Sequence, residues 1–272
     1  MKITFIGGGN MASAIIGGLA AQGFAARNIK VVEPLAEARA RLTRELGVAC
    51  FEAAKDAAPF GDLVVMAVKP QQMRDAARAV SGSLSAAELV LSIAAGTRLA
   101  DLGRWLGGHA LLARCMPNTP ALIGAGVTAA YAAPAAGETH RANIARVLEA
   151  VGTLTWVADE ALLDAVTAVS GSGPAYVFYF IEALAQAGRD MGLGAGDART
   201  LSLQTFLGAT QLAIKTGEDL ALLRQRVTSK GGTTERALAS MNADRVQEAI
   251  VRALKAANER SRELGEMLGR DE

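Results

Sequence analysis

Residues 3–12 constrain the fold more than any other segment. Ile3-Thr-Phe-Ile6 is a short apolar run, Gly7, Gly8 and Gly9 follow at once, and helical periodicity then runs to about residue 21. This is G-x-G-x-x-A in the context it requires: strand, tight turn, helix. Each small residue has its own reason. Gly7 permits the turn, Gly9 lets a phosphate group approach the backbone because it has no Cβ, and Ala12 lets helix and strand pack closely. The N–H groups and positive dipole end of the helix then face the anion. The reading is dinucleotide binding; the alternative is a glycine turn needed only for close packing.

The rest of the first half repeats the alternation. Strands are predicted at Ile3–Ile6, Ile29–Val32, Leu63–Val68, Glu88–Ile93 and Leu111–Arg114, with helices over about 11–21, 36–46, 71–80 and 98–106. Such alternation implies βαβ units and a mostly parallel sheet, and the near-continuous run Leu63–Val68 fits a strand buried on both faces. Two further strands, near Val127–Tyr131 and Thr153–Val157, extend the sheet. After about Asp159 the β-branched runs stop and helical stretches follow at about 160–169, 174–191, 197–215, 218–226 and 233–268. The predicted fold class is an α/β Rossmann-type doubly wound sheet followed by an all-helical C-terminal domain, divided as 1–160 and 161–272.

In an open parallel sheet, ligands sit beyond the carboxyl ends of the strands. The second strand ends at Glu33-Pro34, about 20 residues after the glycine turn, where an acid can accept hydrogen bonds from ribose hydroxyls. It would repel a 2′-phosphate, so Glu33 leans toward NADH; the counter-reading has Arg39 or Lys55 serving that phosphate. Two other predicted exits are Ala67-Val68-Lys69-Pro70 and Arg114-Cys-Met-Pro-Asn-Thr-Pro120. Their prolines cannot continue a ladder. Lys69 is placed to meet the cofactor phosphate or ribose, and Asn118 the nicotinamide ribose or carboxamide. The bland alternatives are a solvated strand-end lysine and a turn former.

Two loops in the helical half carry glycines and hydroxyls just before a helix: Ser170-Gly-Ser172-Gly-Pro-Ala-Tyr176 and Val227-Thr-Ser229-Lys230-Gly231-Gly232-Thr233-Thr234. Exposed N–H groups at a helix start make an anion site without arginine, suited to a small carboxylate. Simple helix caps are the alternative.

Composition narrows the function classes. With 51% apolar and 20% charged residues the chain is globular, and a formal net charge of +1 provides no general attraction to nucleic acid or anionic membrane. No apolar stretch reaches about 18 residues, so no membrane span is expected. The glycines at 7–9 cut the N-terminal apolar run too short for a signal peptide. Cys50 and Cys115 lie far apart in no metal or redox spacing, which favours reduced thiols, no metal site and the cytoplasm. His109 and His140 stand in no catalytic spacing and read as surface residues. No lysine stands out as the base a hydroxyacid dehydrogenase would require. An iminium substrate relaxes that demand, because its carbon is already electrophilic and hydride transfer then depends mainly on orientation.

Together these segments resemble the pyrroline-5-carboxylate reductase family over essentially the whole chain. The matching motifs are Ile6–Ala12, Ala67–Pro70, Arg114–Pro120, Ser170–Tyr176 and Thr228–Thr234. The first is common to many dehydrogenases; the last three, in this order, are specific. The resemblance implies NADPH or NADH as cofactor, pyrroline-5-carboxylate as substrate, the last step of proline synthesis, and dimers that often assemble into larger rings. It implies cofactor contacts from Gly7, Gly9, Asn10, Met11, Ala12, Lys69 and Asn118, and the positions of the glycine turn and strand exits add Gly8, Glu33, Ala67, Val68 and Pro70 as cofactor-binding candidates. It also implies substrate contacts from Ser229, Gly231, Gly232, Thr233 and Thr234, with Thr234 the proton donor to the ring nitrogen, and the first hydroxyl loop adds Ser172 as a candidate. Two departures stand out. Lys230 replaces the family's usual proline, and Glu33-Pro34 replaces the serine, asparagine or arginine of NADPH-preferring members.

Rival readings are another imine or β-hydroxyacid reductase on the same plan, or a non-catalytic NAD(P)-sensing protein. The long last helix repeats apolar residues at Leu238, Met241, Val246, Ile250, Leu254 and Leu264. It should pack against a second subunit, the alternative being a solvated tail that frays after about Asn258.

Overall fold

In the computed structural model, which describes residues 1–270, eight strands form one sheet: β1 (Ile3–Ile6), β2 (Ile29–Val32), β3 (Ala49–Phe51), β4 (Leu63–Met66), β5 (Leu89–Ser92), β6 (Leu112–Met116), β7 (Gly126–Ala132) and β8 (Gly152–Trp156). Their order is β3-β2-β1-β4-β5-β6-β7-β8. The first six strands in this order are parallel, β6 and β7 are antiparallel, and β8 follows β7 in parallel. The order reverses direction between β1 and β4, so a crevice opens beyond the carboxyl ends of those two strands, the usual ligand position in doubly wound sheets.

The helices interleaved with the strands are α1 (Asn10–Ala21), α2 (Ala36–Leu46), α3 (Ala54–Ala57), α4 (Met73–Ser81), α5 (Leu99–Trp105) and α6 (Glu138–Leu148). Alternate residues of each strand serve opposite faces. Ile3, Phe5, Leu63 and Val65 pack with Ile15, Ile16 and Leu19 of α1 and with Ile144 and Val147 of α6. Ile6, Val64 and Met66 pack with Met73, Ala77 and Val80 of α4 and with Leu102 of α5. Fully burying each such large side chain stabilises the fold by about 1.5–3 kcal/mol.

The later helices are α7 (Leu162–Val166), continued by a π-helical turn over Thr167–Gly171, then α8 (Gly173–Asp190), α9 (Ala195–Thr216), α10 (Leu220–Arg226), α11 (Thr233–Ala243) and α12 (Val246–Gly269). The chain forms two compact units. One comprises Met1–Ser172 and the chain from Ala257 onward; the other is Gly173–Ala256.

Several expectations are corrected. The single helix over 233–268 is broken between α11 and α12, where Arg245 adopts a left-handed φ of 52°. The tail does not fray after Asn258, because α12 continues to Gly269 and is held against the α/β unit. Ser261 Oγ donates to Asp164 Oδ1 at 2.6 Å, Arg98 pairs with Glu266 at 3.6 Å, and Arg104 donates to the Gly269 carbonyl at 2.7 Å. Asp271 and Glu272, the end of the predicted helical domain, lie outside the described residues. The histidines are half-buried rather than surface residues, and His109 Nε2 lies 2.8 Å from the Glu88 carbonyl oxygen.

The small helical unit buries few of its apolar side chains. Within it Phe178 is 60% exposed, Tyr179 70%, Ile214 78% and Leu220 70%. A cavity of about 340 Å³ opens in the same unit between α8 and α12, lined by Tyr176, Tyr179, Phe180, Val246, Ile250 and Leu254 among others.

Candidate active site

The crevice at the end of β1 is built from backbone. Gly7 has φ +102°, and a Cβ there would stand 2.7 Å from the Ala67 carbonyl oxygen and 3.1 Å from Val68 Cγ1. Only glycine fits, and the contact ties the turn after β1 to the exit of β4. Gly7 N–H donates to the Val32 carbonyl and Ala67 N–H to the Ile6 carbonyl, both at 2.8 Å, so the exits of β1, β2 and β4 are locked side by side.

Gly9 differs: a Cβ placed there meets nothing within 4 Å. Gly9 is the N-cap of α1, and no side chain caps that terminus. The first-turn donors at Asn10, Met11 and Ala12 therefore border open space, which suits a pyrophosphate. These residues fit a dinucleotide.

Glu33 stands at the end of β2 and turns over the glycine loop. Its Oε2 accepts the Gly8 N–H at 2.9 Å and its Oε1 the Leu35 N–H at 3.0 Å. Lys69 is exposed, immediately before a 3-10 turn at Pro70–Gln72. Asn118 is 9% exposed and committed at both ends of its amide. Oδ1 accepts the Val127 N–H at 2.9 Å, and Nδ2 donates to the Ser170 carbonyl at 3.2 Å. It thus braces the exit of β6 against the π-helical turn, and what it can offer a ligand is the second amide N–H. Gly171 in that turn lies so close to Met116 that a Cβ would run into the Met116 Cε methyl. Ser172 is half-buried; its N–H donates to the Thr167 carbonyl at 2.8 Å.

In the helical unit, α10 and α11 begin differently. Asp219 caps α10 by accepting from the N–H groups of Ala221 and Leu222 at 2.8 and 3.2 Å. Helix α11 starts at the N-cap Gly232 with no side-chain cap, so the first-turn N–H groups, those of Thr233 and Thr234 among them, have no side-chain partner from the cap. Gly231 has φ +74°, and a Cβ on Gly232 would stand 2.6 Å from Ser229 Oγ, so the loop is folded tightly on its glycines. The Gly231 N–H is already taken by Glu235 Oε2 at 2.7 Å. Thr234 is half-buried while Ser229, Lys230 and Thr233 are exposed.

Two features were not legible in the sequence. Arg114, 5% exposed, pairs with Glu160 Oε1 at 3.0 Å, and the same oxygen accepts the Leu99 N–H at 2.8 Å. Burial pushes the Cys115 thiol far above its ordinary range despite the neighbouring Arg114 charge, so it is no nucleophile. No grouping of metal-ligating side chains occurs among the described residues.

Comparison with known proteins matches both halves of the chain. Residues 160–264 match the family model described as pyrroline-5-carboxylate reductase dimerisation, and residues 2–96 match NADP oxidoreductase coenzyme F420-dependent. Pyrroline-5-carboxylate reductase of Pseudomonas aeruginosa is 45% identical over 98% of each chain. A solved pyrroline-5-carboxylate reductase from Coxiella burnetii has a TM-score of 0.91 at 36% identity, covering 97% of this chain and 98% of that one. The Plasmodium falciparum pyrroline carboxylate reductase, solved with NADP bound, has a TM-score of 0.86 at 27% identity over the same shares.

Proposed function

The chain belongs to the pyrroline-5-carboxylate reductase family, and we propose that it catalyses the reaction for which the family is named, with L-proline as product. The observation that carries this reading is similarity at 45% identity over 98% of both chains. A reduced nicotinamide nucleotide supplies the hydride.

In this reading the turn Gly7–Ala12 and the exit Ala67–Pro70 hold the nucleotide, with Lys69 and the second amide N–H of Asn118 along its length. The uncapped start of α11 supports the reading of the 229–234 loop as the seat of the substrate carboxylate. Thr233 and Thr234 offer it N–H groups, and Ser172 and Ser229 offer hydroxyls. The hydride adds to the imine carbon, the C=N π pair passes to nitrogen, and the Thr234 hydroxyl or a water it orders delivers the proton there. The loop's main task is orientation, since the imine carbon needs little activation beyond that proton.

We assign residues 161–272 to substrate binding and dimerisation, a division that the family match over 160–264 supports. The exposed apolar surface of the helical unit supports self-association. Among the described residues no helix is long and apolar enough to cross a membrane, and both cysteines are free thiols, which accords with a reducing cytoplasm. The test is turnover. Oxidation of NADH or NADPH should depend on pyrroline-5-carboxylate and yield proline in equal amount. Oxidation of a β-hydroxyacid with no reduction of the imine would place the chain with the rival dehydrogenases.

A further inference from the structure

Glu33 follows β2 directly and meets the glycine turn after β1. Glu33 is half-buried and its carboxylate lies along the glycine turn, held by the Gly8 and Leu35 N–H groups at 2.9 and 3.0 Å. A Cβ on Gly8 would come within 3.4 Å of Glu33 Cβ and Cγ, so the side chain lies tightly against the turn. Each carboxylate oxygen has accepted one hydrogen bond and can accept another. That pair of remaining acceptors complements the two hydroxyl donors of an adenosine ribose. It is the wrong partner for a 2′-phosphate, which brings about 1.5–2 negative charges and strong acceptor oxygens.

A neighbouring cation would have to offset that repulsion, and the closest candidate is otherwise engaged. Arg39 donates to the carbonyls of Glu33 and Pro34 at 2.8 and 2.6 Å and pairs with Glu52 at 3.0 Å. Its guanidinium braces the backbone behind the carboxylate. Lys55 is exposed on the short helix α3.

We propose that Glu33 is the specificity-determining residue of this reductase and selects NADH over NADPH. The inference rests on the dinucleotide reading of the crevice made above. Arg39 is a positioning residue that fixes the turn carrying Glu33.

Binding of each reduced nucleotide, followed by nicotinamide fluorescence without the imine substrate, tests this directly. The unaltered protein should bind NADH at least about tenfold more tightly than NADPH near 0.1 M salt, and the gap should narrow at 1 M, where charges are screened beyond about 3 Å. Glu33→Gln keeps the shape and an acceptor but removes the charge. It should bring NADPH affinity up by about fivefold or more, with some loss of thermal stability because the amide NH2 cannot accept one of the two N–H groups that Glu33 holds. Glu33→Ser, which removes the acceptor pair as well, should reverse the preference. Equal or tighter NADPH binding by the unaltered protein overturns the proposal, as does a Glu33→Gln ratio that does not move. Failure to bind either nucleotide would overturn the reductase reading along with it.

Discussion

Replacing Gly9 with alanine separates folding from ligand binding at the glycine turn. Gly9 has φ −70° and ψ −173°, extended backbone that alanine adopts freely, and the new methyl would meet nothing within 4 Å. Alanine restricts the unfolded chain, which stabilises by about 0.4–1 kcal/mol. It is also a poorer N-cap than glycine, which costs about 0.5–1 kcal/mol. The two effects offset, so stability should change by less than about 0.5 kcal/mol. The methyl occupies the space through which a pyrophosphate approaches the first-turn N–H groups, so nucleotide affinity should fall at least tenfold, about 1.4 kcal/mol. Gly7→Ala is the contrasting variant. Its Cβ would stand 2.7 Å from the Ala67 carbonyl oxygen at φ +102°. Strain and overpacking, each about 1–3 kcal/mol, should remove a large share of a stability of about 5–15 kcal/mol. Urea unfolding gives the first quantity and nicotinamide fluorescence titration the second. Nucleotide binding by Gly9→Ala within twofold of the unaltered protein would refute the assignment of that space to the phosphates.

Three further predictions concern other parts of the molecule. Thr234→Ala should lower kcat by about 10²-fold or more, the range of a lost general acid, while nucleotide affinity stays within about twofold; equal losses in both would remove Thr234 from its role. Arg114→Met should destabilise the protein by about 3 kcal/mol, the lower end for breaking a buried pair because Glu160 is a quarter exposed; a urea midpoint that hardly moves would contradict this. Iodoacetamide at pH 8 should label the half-buried Cys50 in the native protein, and Cys115, whose pKa burial raises, only after unfolding. Two labels on the folded chain would show that Cys115 is less enclosed than its position in β6 indicates.

The parts of the fold that the sequence discloses are those whose signal is local. The β1–α1 turn, the Leu63–Met66 strand and the proline exits at Pro70 and Pro117 each carry a composition that permits few alternatives. Strand β3 does not: Ala49-Cys50-Phe51 has no β-branched residue and becomes a strand only by pairing with β2 at the sheet edge. The break between α11 and α12 has no glycine or proline to mark it, because Arg245 supplies the left-handed turn that glycine usually provides. Nor could spacing show that α12 beyond Ala257 belongs to the α/β unit, since the contact of Ser261 with Asp164 spans 97 residues and that of Glu266 with Arg98 more than half the chain. At the site, motif positions marked the glycine turns, but not what the side chains around them hold. Asn118 braces β7 and the π-helical turn, and Glu235 occupies the Gly231 donor; both facts depend on tertiary placement.

The most direct measurement follows the hydride itself. With reduced nicotinamide nucleotide deuterated at C4 on the transferable face and pyrroline-5-carboxylate as acceptor, mass spectrometry should find one deuterium in proline, on the ring carbon that was the imine carbon. Proline formed without label, or no proline formed while the nucleotide remains bound, would contradict direct transfer between the two.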